Sequence, residues 1–275
     1  MSDFIYANIF LITALAAALL SSFASGIIGS YIVVKRIVFL AGSISHSVLG
    51  GMGLFLYLSK KFNLPFLTPL LGAFVFAIIS AFLIGWIHLK YRQREDTVIA
   101  ALWALGMSIG VIFISLSPGY NVELMNFLFG NILWTKSSDL FGLLALDGII
   151  IATCLLLHKK FLLICFDETQ SYLQGLHTSR LYFLLLSLIA VTVVALIQII
   201  GAILVIAMLC LPAAAANLFT KRLSSTIFMA VAFSLLFSLL GTILSYFLNW
   251  PPGATISLTA TLGYFGILSI RRSLA

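Results

Sequence analysis

Charge is what this sequence has least of. Charged side chains make up 8% of its 275 residues, where a water-soluble domain carries about 25%, so a soluble globular fold is excluded. The motifs of several enzyme classes are absent as well: there is no GxxxxGK[ST] phosphate loop, no HExxH helix and no GxSxG turn. The chain therefore does not hydrolyse a nucleotide through a phosphate loop, and it shows no assembled nucleophile and base. Cys154, Cys165 and Cys210 lie in or beside apolar runs at no CxxC or zinc-finger spacing, which leaves no disulfide framework to read.

Apolar residues fill the space that charge leaves. They make up 62% of the chain, with a mean hydropathy of +1.19. Residues 4–34, 37–59, 62–87, 97–122, 181–220 and 223–270 each contain no Lys, Arg, Asp or Glu, and roughly 20 apolar residues suffice to cross the hydrocarbon core as a helix. The small-residue stretch Ser22–Gly26 could imitate a signal cleavage site. However, the only early charge is Asp3 and the apolar run continues to Val34, so a first membrane helix is expected there. The run 181–220 is too long for one crossing and is expected to turn near Gln198–Gly201; 223–270 breaks at Asn249-Trp250-Pro251-Pro252-Gly253, where paired prolines cannot continue a helix. The predicted spans are 8–33, 38–58, 66–87, 98–115, 140–157, 181–199, 202–219, 225–247 and 254–270. The expected fold is an all-α polytopic bundle of about nine transmembrane helices, with eight to ten as the range, forming a single permease-like domain over 1–275.

Once the spans alternate sides, 12 Lys/Arg residues fall on one face and Lys60, Lys61 and Lys136 on the other. Cytoplasmic loops hold the basic excess, which puts the C-terminus inside and makes the net charge of +7 a topology signal. Nothing in the pattern has the basic-aromatic interleaving of a nucleic-acid surface.

Polar groups within a span are costly and are the first functional candidates. His46 lies about eight residues into the second span. Its imidazole is either a ligand for a transition metal such as zinc or manganese, or a hydrogen-bonding group facing a serine or carbonyl on a neighbouring helix. Asp147 interrupts the fifth span, and either joins His46 at a metal or pairs with Gln198 or a serine. Met208 and Cys210 read as packing, and His88, His158 and His177 as ordinary span-end residues. Two segments fit neither span nor simple loop. The outer connection 117–139 contains the apolar stretch Leu124–Trp134, expected to lie in the interface or to re-enter. The inner segment Phe166–Arg180 has the spacing of a short surface helix, either docking a partner or serving as a connector.

Four motifs in order resemble the permease subunits of ABC-type importers for zinc, manganese or iron(II). Lys35-Arg36 followed by Ser45-His46 through Gly50-Gly51 is similar to the family's basic pair and SHxxxxG stretch. Leu128–Leu133 matches its LFGxIL, and Phe166-Asp167 with Gly175-Leu176 its FDPELAxxxGL, here with Glu168 for proline and Ser171 for alanine. Gly201–Leu204 through Leu211-Pro212 and Ala213–Ala216 looks like its GxLLVxxLLxxPAAxA helix. The resemblance implies a multi-pass protein of the bacterial inner membrane that binds no permanent cofactor and passes a divalent ion, zinc or manganese. It implies that a cytoplasmic ATP-binding subunit does the hydrolysis, that an extracytoplasmic metal-binding protein delivers the ion, and that two permease chains pair. His46 and Asp147 become the metal candidates, and Asp167, Ser171, Gly175 and Leu176 the ATPase-coupling residues. Many members carry an Asp four residues before the histidine, where this chain has Gly42; loss of that oxygen ligand favours zinc over manganese. An ABC permease for iron-siderophores or corrinoids, a membrane-embedded enzyme and a secondary carrier are the competing readings.

Overall fold

The computed structural model describes residues 9–91, 95–117, 127, 130, 132 and 137–274. Its helices are α1 (Ile9–Lys35), α2 (Val38–Phe62), α3 (Pro69–Tyr91), α4 (Glu95–Leu116), α5 (Ser137–Phe166), α6 (Glu168–Leu173), α7 (Thr178–Ile200), α8 (Ala202–Asn217), α9 (Leu223–Leu248) and α10 (Pro252–Leu274). Among the described residues, eight of these are long and apolar enough to cross a membrane, and α8 is a shorter apolar helix. The chain is an all-α, multi-pass membrane protein. Most of Leu124–Trp134, including Leu128, Phe129, Asn131 and Leu133 of the second motif, lies outside the described residues.

Helix ends follow local chemistry. Asn63 and Asn249 adopt the left-handed conformation and return their N–H groups to the carbonyls of Ser59 and Ser245, closing α2 and α9; asparagine tolerates that conformation. Gly201, at φ 80°, separates α7 from α8. The predicted fifth span stops at 157, whereas α5 runs on to Phe166. At 1.5 Å per residue its length is about 45 Å, well beyond a hydrocarbon core of about 30 Å, so the paired lysines Lys159 and Lys160 do not mark the end of the helix.

The chain groups into two compact units, residues 1–36, 126–158 and 195–275 in one, and 37–125 with 159–194 in the other. In the first, α1 packs on α8 and α9, and α10 on α8 and α9. Gly26 of α1 meets the Val231 backbone, Gly29 meets the Leu209 carbonyl, and the Ser25 and Ser234 hydroxyls bond at 2.8 Å. Gly130, at φ 61°, lies against the Ile200–Gly201 backbone where α7 breaks.

In the second unit α2 packs on α3 and α4. The contact is made largely of glycine, because without lipid-versus-water contrast to drive association, membrane helices rely on close backbone approach. Gly51 meets Gly72 of α3, while Gly50 and Gly53 meet Gly106 and Gly110 of α4. Ser43 and Ser47 donate across this seam to the Ile99 and Leu102 carbonyls at 3.0 and 3.4 Å.

A Cβ on Gly106 would stand 2.5 Å from the Ser47 Cα and 2.9 Å from the His46 carbonyl oxygen, both backbone atoms that cannot turn aside. Gly106→Ala should therefore destabilise the protein by about 1–3 kcal/mol, read as a lower melting temperature in detergent. Gly142→Ala, on an α5 position with nothing within 4 Å of the added atom, should leave it unchanged or raise it, since alanine is the better helix former by about 1 kcal/mol.

Candidate metal site and the segment after α5

His46 is half-buried on α2. The glycine seam determines what surrounds it: with no side chain at 106, α4 comes up to the His46–Ser47 backbone and brings the residues on either side of Gly106 to the imidazole. Trp103 stacks on the ring at a centroid distance of 4.4 Å and 18° between planes. Met107, one helical turn further along α4, places its Sδ 3.0 Å from Nδ1. Neither serine nor carbonyl bonds the imidazole among the described residues; a thioether does. Gly42, one turn before His46 on the same helix, is buried and contributes no ligand atom. Among the described residues no cluster of three or more His, Cys, Asp or Glu side chains forms.

Asp147 lies in the other unit. It is 5% exposed, and neither carboxylate oxygen has a hydrogen-bond partner among the described residues. The group sits beside the Ala24 backbone of α1, short of hydrogen-bond geometry. Gln198, one of its sequence-predicted partners, is exposed and makes no bond to it. A carboxyl group left this way within a span is expensive.

Farther along α5 come Cys154 and His158. Cys154 lies within reach of the Tyr31 hydroxyl, and His158 Nδ1 is 3.3 Å from Tyr31 Oη. Spacings of seven and four residues put Asp147, Cys154 and His158 along one stripe of α5, and α1 supplies Ala24 and Tyr31 to it at the same spacing of seven. Sequence reasoning gave His158 no role because it falls at the end of the predicted fifth span, where basic residues are ordinary. The available signal was that spacing on α5, which becomes meaningful only once the helix is known to continue.

The segment after α5 is compact. Asp167 caps α6, its Oδ1 accepting the Gln170 N–H at 2.9 Å. Ser171 is fully buried, with its Oγ unpartnered among the described residues. Gly175, at φ 76°, turns the chain: its N–H bonds the Tyr172 carbonyl at 2.9 Å, and the Leu176 N–H bonds the Ser171 carbonyl at 3.2 Å. The short surface helix expected over 166–180 is thus six residues long, bounded by its cap and this turn. Tyr172 and Leu173 are 75% and 78% exposed, beside a groove of about 620 Å³ that Leu176, His177 and Arg180 also line. Glu168, where the resembled family has proline, is 3.9 Å from His88 Nε2 at the end of α3.

The sequence profile of the ABC 3 transport family matches residues 7–271. A protein of Chlamydia pneumoniae named "Probable metal transport system membrane protein" is 48% identical over 93% of this chain and 87% of its own length. The manganese transport system membrane protein MntC of Listeria monocytogenes is 33% identical over 93% of this chain and 89% of its own. Among solved structures, PsaBC from Streptococcus pneumoniae, determined in complex with Fab, superposes with a TM-score of 0.81 at 29% identity, covering 97% of this chain and 95% of that one. Matched over nearly its whole length, this chain belongs to the ABC 3 transport family and is a multi-pass metal ABC transporter permease, a protein of the inner membrane in bacteria.

Proposed function

We propose that residues 1–275 act as one permease domain that carries a divalent transition metal inward, with zinc as the favoured ion and His46 as a ligand along the path. The observation that carries the reading is the composition of the His46 surroundings: an imidazole held in place on an apolar seam, with the buried Gly42, which offers no oxygen ligand, one turn before it and no cluster of three or more His, Cys, Asp or Glu among the described residues. Nitrogen without hard oxygen suits zinc better than manganese. The name of the Listeria relative supports manganese as the second reading. A separate cytoplasmic ATPase would supply the energy, an extracytoplasmic binding protein the ion, and a second copy of the chain the other half of the pathway, with two-fold symmetry as the ordinary solution. The basic loops, and with them α6 and the C-terminus, would face the cytoplasm.

In this reading the exposed Tyr172 and Leu173 and the groove beside them receive the ATPase. Asp167 and Ser171 shape α6, and Gly175 with Leu176 sets the turn that presents it. Asp147 would be a second metal candidate, its carboxylate oxygens having no hydrogen-bond partner among the described residues.

Uptake of zinc against manganese, in cells lacking their own importers, tests the ion; manganese accumulation without zinc accumulation would overturn the preference. His46→Ala should reduce zinc uptake at least about tenfold, the scale of losing a ligand or its support, while the protein still inserts, because one imidazole adds little to the hydropathy that drives insertion. Asp147→Asn should insert equally well and lower uptake by a similar factor, whereas full uptake would make the residue structural. Gly175→Leu meets open space but a left-handed backbone, a strain of about 1 kcal/mol or more. The folded permease should then fail to co-purify with the ATPase, and normal co-purification would move the docking surface elsewhere.

A further inference from the structure

A thioether has no proton to give. When its sulfur lies 3.0 Å from an imidazole nitrogen in hydrogen-bonding geometry, that nitrogen must be the donor. The contact between Met107 Sδ and His46 Nδ1 therefore specifies one tautomer: Nδ1 carries the hydrogen and Nε2 the lone pair. Nε2 makes no hydrogen bond among the described residues and is not one of their buried, unpartnered atoms. It is thus the nitrogen available to an ion.

A shared metal does not fit between the two atoms as they stand. With metal–nitrogen and metal–sulfur bonds of about 2.0 and 2.3 Å at a tetrahedral angle, the two donors would be about 3.5 Å apart. The observed separation is that of a direct contact. Histidines that bind metals generally donate their other N–H to a carboxylate, carbonyl or water, which fixes the ring and raises its basicity. Here a weak acceptor stands in that place, and Trp103 fixes the plane of the ring from the side. Orientation is secured while the added basicity stays small, a combination suited to an ion that must leave again.

We propose that Met107 is a positioning residue for transport: its thioether accepts the His46 Nδ1–H and so presents the Nε2 lone pair to the transported ion. This rests on the reading of His46 as a ligand, and the test separates the two.

The experiment uses the full-length permease assembled with its ATPase subunit, measuring equilibrium Zn²⁺ and Mn²⁺ binding and, in proteoliposomes, zinc uptake against zinc concentration. Met107→Leu keeps volume and apolarity but removes the acceptor. It should weaken Zn²⁺ and Mn²⁺ binding by the same factor, about 10- to 100-fold, the usual loss when the partner of a ligating histidine is removed. Half-saturating zinc should rise while the maximal rate stays near that of the parent protein, which also shows the variant is folded. Met107→Gln, whose side-chain oxygen can accept the same N–H, should recover most of the lost affinity. Wild-type binding by Met107→Leu, with binding lost in His46→Ala, would overturn the positioning role and leave the ligand in place. A changed ratio of zinc to manganese affinity in Met107→Leu would overturn it by making the sulfur a ligand, and failure of Met107→Gln to recover affinity would overturn it by making side-chain shape the cause. Wild-type binding by His46→Ala would remove the underlying reading itself.

Discussion

A bilayer interior offers no water to a polar group, and the organisation of this protein follows from that. Every backbone N–H and C=O in the core must find its partner within the protein, which favours helices throughout. The same demand falls on each hydroxyl. Ser22, Ser30 and Ser45 bond the carbonyl four residues back at 2.6, 2.7 and 2.8 Å, as Thr192 and Thr242 do in α7 and α9 at 2.7 and 2.8 Å. Satisfied locally, these side chains are small and nearly apolar in effect, so neighbouring helices can approach over them. Among the described groups that are not satisfied in this local way, two have a claim to function: the His46 ring, which uses a sulfur on another helix, and Asp147, whose oxygens have no partner among the described residues.

Close approach then converts sequence into a site. On α4, Gly106 lies between Trp103 and Met107, and its missing side chain is what lets both reach the imidazole on α2. The serines on α2 reinforce the register by bonding α4 carbonyls. The site is therefore made by two helices, neither of which carries it alone. The segment after α5 is built differently: an aspartate cap begins α6, a left-handed glycine follows it, and Tyr172 and Leu173 are left exposed.

The spans were legible because their length and their breakers are local facts. Gly201 and the Asn249–Gly253 cluster divide the long apolar runs where the helices actually end. The extent of α5 was harder to read, since Lys159 and Lys160 are good helix formers and a helix leaving the bilayer has no reason to stop at a charge. His46, Asp147 and the residues around Gly175 stood out as polar or special positions. Met107 and Trp103 did not: a methionine and a tryptophan in an apolar helix read as packing until it is known which helix faces which. The Asp147–Cys154–His158 stripe was hidden for the same reason, because Tyr31 is more than a hundred positions away in the chain.

The seam between α2 and α4 has a mechanical consequence. Helices normally lock by side chains set into grooves, and sliding one past the other means lifting those side chains out. Where Gly50 and Gly53 lie on Gly106 and Gly110, there is little to lift, and the register is held mainly by the Ser43 and Ser47 hydrogen bonds and the Trp103–His46 stack. Small displacements along such a track are the kind of motion that packed helices use in domain movements. Because His46 lies on one rail and Met107 on the other, a shear of the two helices would alter the contact that orients the imidazole.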